Sequence, residues 1–159
     1  MLALSPLLNC DSGEDPRLRA GLMLVEEYVA RDSRGEFRTV NQWYNENTRF
    51  DQLVPGWDEA AVIVDAVPSS PATRGDTVLV PVRYSRVGFI GGDGQGGALV
   101  RFQDTVVVAE FKLLDLGSDG LRIVEPVQPP HFSIEYVLQS PISDDQRIRL
   151  KQALERRAP

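Results

Sequence analysis

Two residue types that build chemistry are nearly missing from this chain. It has one cysteine, Cys10, and one histidine, His131. A single cysteine excludes an internal disulfide, and one Cys with one His excludes a zinc cluster. Long apolar stretches are missing too: no run reaches the roughly 18 to 20 residues needed to cross a bilayer. Positive charge is in deficit, with 17 basic residues against 23 acidic ones and a formal charge of −6. Nucleic-acid binding needs a basic footprint, and the basic residues here are scattered apart from the last helix. No serine has a G-x-S-x-G setting, so a serine nucleophile has no support. The glycine-rich run at 91–97 carries one carboxylate, too few for calcium. A strand follows it, where a phosphate loop needs a helix and a lysine. It reads as a hairpin tip. No metal and no cofactor is expected.

What is present fits one folded unit. The chain has 159 residues, of which 42% are hydrophobic, enough for one core in one domain. The organising stretch is 106–130. Val107, Ala109, Phe111 and Leu113 alternate with Val106, Val108, Glu110 and Lys112, the period-two pattern of a half-buried antiparallel strand. Ser118-Asp119-Gly120 is a turn signal. A return strand follows through Leu121 and Ile123, and Pro126, Pro129 and Pro130 stop it.

The rest divides in order. Residues 1–15 read as a flexible tail or tether, and 16–159 as a single domain. Asp15-Pro16 opens a helix, with Asp as N-cap and Pro at the first helical position. Leu18, Leu22, Val25 and Val29 give it an apolar stripe. A second helix is expected with Phe37, Val40 and Tyr44 on one face and Trp43 beside them. Strands are expected over 57–67, 77–87 and 98–102, the last running into the long strand. Pro81 marks an edge or a bulge. Ser133 is placed to cap a short helical turn. Ser143 with Gln146 forms a capping box for a C-terminal helix over 143–157. The thin apolar face of that helix (Ile148, Leu150, Ala153, Leu154) implies either packing on the outside or loose docking. Helices first and strands after argue an α+β fold: N-terminal helices on a curved, mostly antiparallel sheet of four to five strands, closed by a short C-terminal helix.

Three segments carry a family resemblance. The hinge at 25–37 (VEEYVARDSRGEF) has a helix, an acidic residue, a glycine, a second acidic residue and an apolar one. Pro55-Gly-Trp-Asp58 runs straight into a valine-rich strand. Ser118-Asp-Gly-Leu-Arg-Ile-Val124 is similar to a closing D-G-x-W-R-I hairpin, with Leu121 in place of the tryptophan. Together, over about residues 16–130, they resemble the nuclear-transport-factor-two-like superfamily, also called SnoaL-like or cystatin-like. The closest resemblance is to exported bacterial members without an assigned role, in which Pro-Pro-His follows the last strand. The resemblance implies a bent sheet wrapping a long helix as a cone, whose open end is often a ligand pocket. Members include cofactor-free isomerases, dehydratases and cyclases, and others that only bind or dimerise.

Candidate chemistry is sparse. His131 suits a general acid or base, since imidazole titrates near neutrality; it equally suits a structural corner after Pro130. Asp32 sits at the hinge, where family enzymes sometimes place a working carboxylate. The run Arg31-Asp32-Ser33-Arg34 also reads as a cap with surface ion pairs. Tyr28, Trp43, Trp57 and Tyr84 are candidate pocket walls or plain core. Arg83 and Arg101 are strand arginines expected to face outward. Cys10, between an apolar stub and a polar stretch, resembles a bacterial lipoprotein junction; the competing reading is a free thiol in a frayed terminus. With no paired acid and base evident, the expectation is an exported, non-enzymatic binding or interaction domain, periplasmic or membrane-tethered only through a lipid on Cys10, and otherwise cytoplasmic. Its partners would be a small apolar ligand or a second copy joined through the sheet face. The alternative is a cofactor-independent lyase or isomerase using His131 and Asp32, with Tyr28 or Tyr84 as donor.

Overall fold

The computed structural model describes residues 15–38, 41–50 and 57–156. Cys10, Val40 and Pro55-Gly56 lie outside them.

Helix α1 (Pro16–Ser33) starts as its first residues dictate. The Asp15 carboxylate accepts from the Arg17 backbone N–H at 2.9 Å. Its buried stripe is Gly21, Val25, Tyr28, Val29 and Asp32, spaced as one helical face requires. Gly21 lets the helix approach the sheet, since a Cβ there would come within 2.8 Å of Val78 Cγ1. The expected second helix is broken in two. Phe37 lies in one turn of 3-10 helix (Glu36–Arg38), and α2 (Gln42–Asn47) restarts at Asn41, whose side chain accepts from Tyr44 N–H at 2.9 Å. The restart follows from Asn41 being a strong N-cap, a signal the apolar spacing concealed.

The strands are β1 (Glu59–Pro68), β2 (Ala72–Arg74), β3 (Thr77–Gly92), β4 (Ala98–Asp115), β5 (Leu121–Glu125) and β6 (His131–Ser133). They form one six-stranded sheet in the order β5-β4-β3-β1-β6, with β2 also on β3. All pairings are antiparallel except β1 with β6, where Ala61, Val62 and Ile63 face His131, Phe132 and Ser133. Strand β6 was not expected from the sequence, and it takes the sheet past the four or five strands anticipated. Pro81 sits where β1 gives way to β2. Its carbonyl accepts from Ser69 N–H and Oγ–H at 2.8 and 3.0 Å, so its missing N–H falls at an interruption of the ladder.

The sheet curls strongly for a visible reason. The register slips around Val64 in β1, Val87 in β3 and Gln103-Asp104 in β4, side by side across three strands. Each extra residue bends its strand and adds twist. Gly88 permits the tight crossing: a Cβ there would overlap the Arg101 carbonyl oxygen.

The curl leaves two apolar cores. The first lies in the hollow, where Val25, Tyr28 and Val29 of α1 meet Val80, Tyr84, Phe111, Leu113 and Ile123. The second lies on the opposite face. Ala60, Val62, Val87, Ile90 and Val100 are covered there by α3 (Ile134–Val137) and α4 (Asp144–Glu155). Ser133 and Ser143 cap these helices as expected. The expectation of loose docking for α4 is corrected: Leu150 is fully buried and roofs the second core, while Ile148 is 56% exposed. The physical reason is that Ala60 to Val64 is apolar on both faces, so the sheet needs cover on both.

Candidate functional site

The link at 126–130 builds the site. It joins β5 at one sheet edge to β6 at the other. Laid flat, five neighbouring strands about 4.8 Å apart would separate those edges by about 19 Å. Six extended steps of chain reach only about 21 Å. The link therefore crosses the hollow nearly as a chord, and delivers His131 next to the end of α1.

There the Asp32 carboxylate accepts from the His131 backbone N–H at 3.1 Å. The imidazole Nδ1 is 3.4 Å from the same Oδ2 but not aligned for a hydrogen bond, and among the described residues it has no other partner. The ring stacks on Tyr84 of β3, with centroids 4.1 Å apart and planes 19° apart. The Tyr84 hydroxyl accepts from Gln128 Nε2 in the link at 3.2 Å. Asp32 is 3% exposed and His131 8%. Burial pushes the Asp32 carboxyl above the usual carboxylate range, and the His131 contacts pull it part of the way back. Burial likewise raises the Tyr84 phenol, opposed by the Gln128 bond, so it stays a neutral O–H.

Asp32 and His131, 99 positions apart, are thus in contact. The surface reading of 31–34 is corrected: Arg31 and Arg34 do make outward ion pairs, with Glu27 and Glu36, but Asp32 turns inward. Tyr28 lies one turn before Asp32 and is buried against Phe111, Phe37 and Trp43. Its phenol is raised by burial and then by the nearby Asp32 charge. Trp43 stacks on Phe37 at 5.5 Å, with the Arg31 guanidinium 5.0 Å from its ring centroid. Trp57 is apart from this group at the entry to β1 and 40% exposed. Arg83 and Arg101 are exposed, Arg101 pairing with Glu59.

A cleft of about 300 Å³ opens beside the dyad, between α1 and the part of β1 that runs past β6. Val29, Ala30, Ile63, Val64, Ala66 and Pro68 make its apolar walls, and Glu26, Ser33, Asp65 and Ser133 its polar points. Asp65 Oδ1 itself is buried away from solvent, without a hydrogen-bond partner among the described residues. Asp32 and His131 are not part of the lining, although Ser33 and Ser133 follow and flank them in sequence. Of this cleft the sequence marked no residue. Its signal was the two-faced apolar run of β1 ending on a charged Asp65. Among the described residues no three His, Cys, Asp or Glu side chains gather to hold a metal ion, and no helix is long and apolar enough to cross a membrane.

The fold is an α+β half-barrel with a helix in its hollow and a cleft at one edge. No protein-family model matches the chain, and neither a curated protein nor a solved structure matches it.

Proposed function

We propose that this chain is a non-enzymatic binding domain that holds a small, mostly apolar molecule in the cleft between α1 and β1. The observation that carries this reading is the cleft itself: apolar walls around a few polar points, at about 300 Å³, the lower end of ordinary ligand pockets. The polar points Glu26, Ser33, Asp65 and Ser133 favour a ligand that also carries an N–H or O–H donor. The dyad is committed elsewhere. Asp32 anchors the His131 amide and the imidazole lies against Tyr84, which supports a structural role for both. Native mass spectrometry of the purified protein, and titration with the apolar amine N-phenyl-1-naphthylamine, test the reading. Fluorescence enhancement lost in Ala30→Trp, which fills the cleft, is the expected result. No retained mass and no enhancement would defeat it.

A second reading rests on β4. Val106 and Val108 are 55% and 64% exposed, and Val107 is exposed too. Among the described residues no strand pairs with the outer edge of β4 from 99 to 111. Open apolar edges invite another strand, so a homodimer through this part of the sheet is the alternative use. Sedimentation over a concentration series, with Val108→Lys as the dissociating variant, separates it from a monomeric binder. The lyase or isomerase reading has one observation in favour, the Asp32–His131–Tyr84 contact. It requires a substrate cavity lined by both Asp32 and His131. We further read the chain as a nuclear-transport-factor-two-like protein, supported by its helix-first order and curled sheet. Export with a lipid on Cys10 is likewise our proposal; labelling with radioactive palmitate would test it.

A further inference from the structure

The opposite face of the molecule carries a separate feature. Where β4 slips register, Phe102, Gln103 and Asp104 face Arg149, Gln152 and Arg156 of the α4 segment across a cleft of about 340 Å³. A smaller cleft of about 190 Å³, sharing Asp104 and Arg156, lies beside it against Val87 and Ala153. Arg149 and Arg156 converge on the larger cleft, and Arg156 also lines the smaller one. Arg17, Arg31, Arg34 and Arg101 each have a carboxylate partner, and Arg147 donates to the Leu138 and Ser140 carbonyls. Among the described residues neither Arg149 nor Arg156 forms an ion pair. Arg19, Arg49, Arg74, Arg83, Arg86 and Arg122 have no carboxylate partner among the described residues either, so what sets Arg149 and Arg156 apart is that both line one cleft.

Their setting prepares them for a ligand. The Arg149 Cζ lies 3.8 Å from the Phe102 ring centroid. Stacking holds a guanidinium plane in place while leaving its N–H edges free. Arg156 uses Nε on the Gln152 carbonyl at 3.2 Å, which fixes its stem and spares its outer nitrogens. The pair is seven positions apart, about two helical turns, so both long side chains reach one cleft. Planar forks of this kind match oxyanions. Asp104 lines the same cleft, yet lies beyond ion-pair distance of either arginine. It repels a bare anion and would accept from a hydroxyl or ammonium.

We propose that this cleft binds a small oxyanion, a carboxylate or phosphate monoester, bearing a hydrogen-bond donor next to its charge. The site is independent of the α1–β1 cleft. Amide chemical shifts of the full chain, titrated with inorganic phosphate, glycerol 2-phosphate and lactate, test it. The expected result is saturable shifts at 102–104 and 149–156, with glycerol 2-phosphate bound more tightly than inorganic phosphate. Lactate competing with glycerol 2-phosphate would assign the site to carboxylates as well; failure to compete would restrict it to phosphate esters. Arg149→Met and Arg156→Met should each weaken binding roughly tenfold, with thermal unfolding confirming that both fold. Asp104→Asn should tighten inorganic phosphate and remove the preference for the hydroxylated ester. Absence of shifts with all three probes, or affinity unchanged in both arginine variants, overturns the site. An unchanged preference in Asp104→Asn overturns the donor requirement.

Discussion

The contact between Asp32 and His131 can be tested by separating its hydrogen bond from its charge. Asp32→Ala removes the acceptor for the His131 backbone N–H in a position 3% exposed. An orphaned buried donor costs about 1–3 kcal/mol, and the lost packing adds to it. Asp32→Asn keeps an acceptor for that amide. It also removes a charge that burial disfavours. The sign of the pH effect follows. The folded-state pKa of Asp32 is raised above its ordinary value of 3.8, so the folded protein takes up this proton before the unfolded chain does. As pH climbs from the unfolded value through the folded one, the wild type loses stability at this site, whereas Asp32→Asn does not. Urea denaturation of the three proteins between mildly acidic and neutral pH reads both effects. Asp32→Ala should be least stable throughout, and the advantage of Asp32→Asn over wild type should grow with pH before levelling. Parallel pH curves for wild type and Asp32→Asn would refute the burial argument. Equal stability of the Ala and Asn variants would refute the hydrogen-bond argument.

Three other perturbations check the scaffold. Leu150→Ala opens the second core and should cost about 2–5 kcal/mol, whereas Ile148→Ala on the exposed side of α4 should cost under about 0.5 kcal/mol; chemical denaturation compares the two. Gly88→Ala forces a methyl group onto the Arg101 carbonyl at the bend of β3, and the overlap should cost about 1–3 kcal/mol or more in the same assay. Ser143→Ala removes the oxygen that accepts from Gln146 N–H; a loss of about 1 kcal/mol, with faster amide exchange confined to the first turn of α4, is expected.

Much of this scaffold was readable because its signals are local. Asp15-Pro16, Ser133 and Ser143 announce helix starts within four residues, and each does cap a helix. The alternation through Phe111 and Leu113 gave the inward face of β4. What escaped is non-local. Strand β6 is three residues after two prolines, and its partner Ala61 lies 70 positions upstream in parallel; no short-range pattern encodes that pairing. The role of α4 escaped because its apolar face was judged alone, when the deciding fact was the second apolar face of β1 and β3. The hinge of Arg31, Asp32 and Arg34 reads in the sequence either as a surface cap with ion pairs or as holding a working carboxylate, and only the crossing of 126–130 shows why the middle residue turns in. The arginine cleft needed the register slip of β4 to place Phe102 beneath Arg149.

The chord across the hollow has a kinetic consequence. Tying α1 to β6 closes a loop of almost a hundred residues, and such closures come late because their entropic cost falls due before any long-range contact offsets it. The hairpins β1–β3 and β3–β4 can zip from their own turns without it. Loosening the knot with Asp32→Ala should therefore speed unfolding while leaving the refolding rate nearly unchanged, the signature of an interaction absent from the transition state.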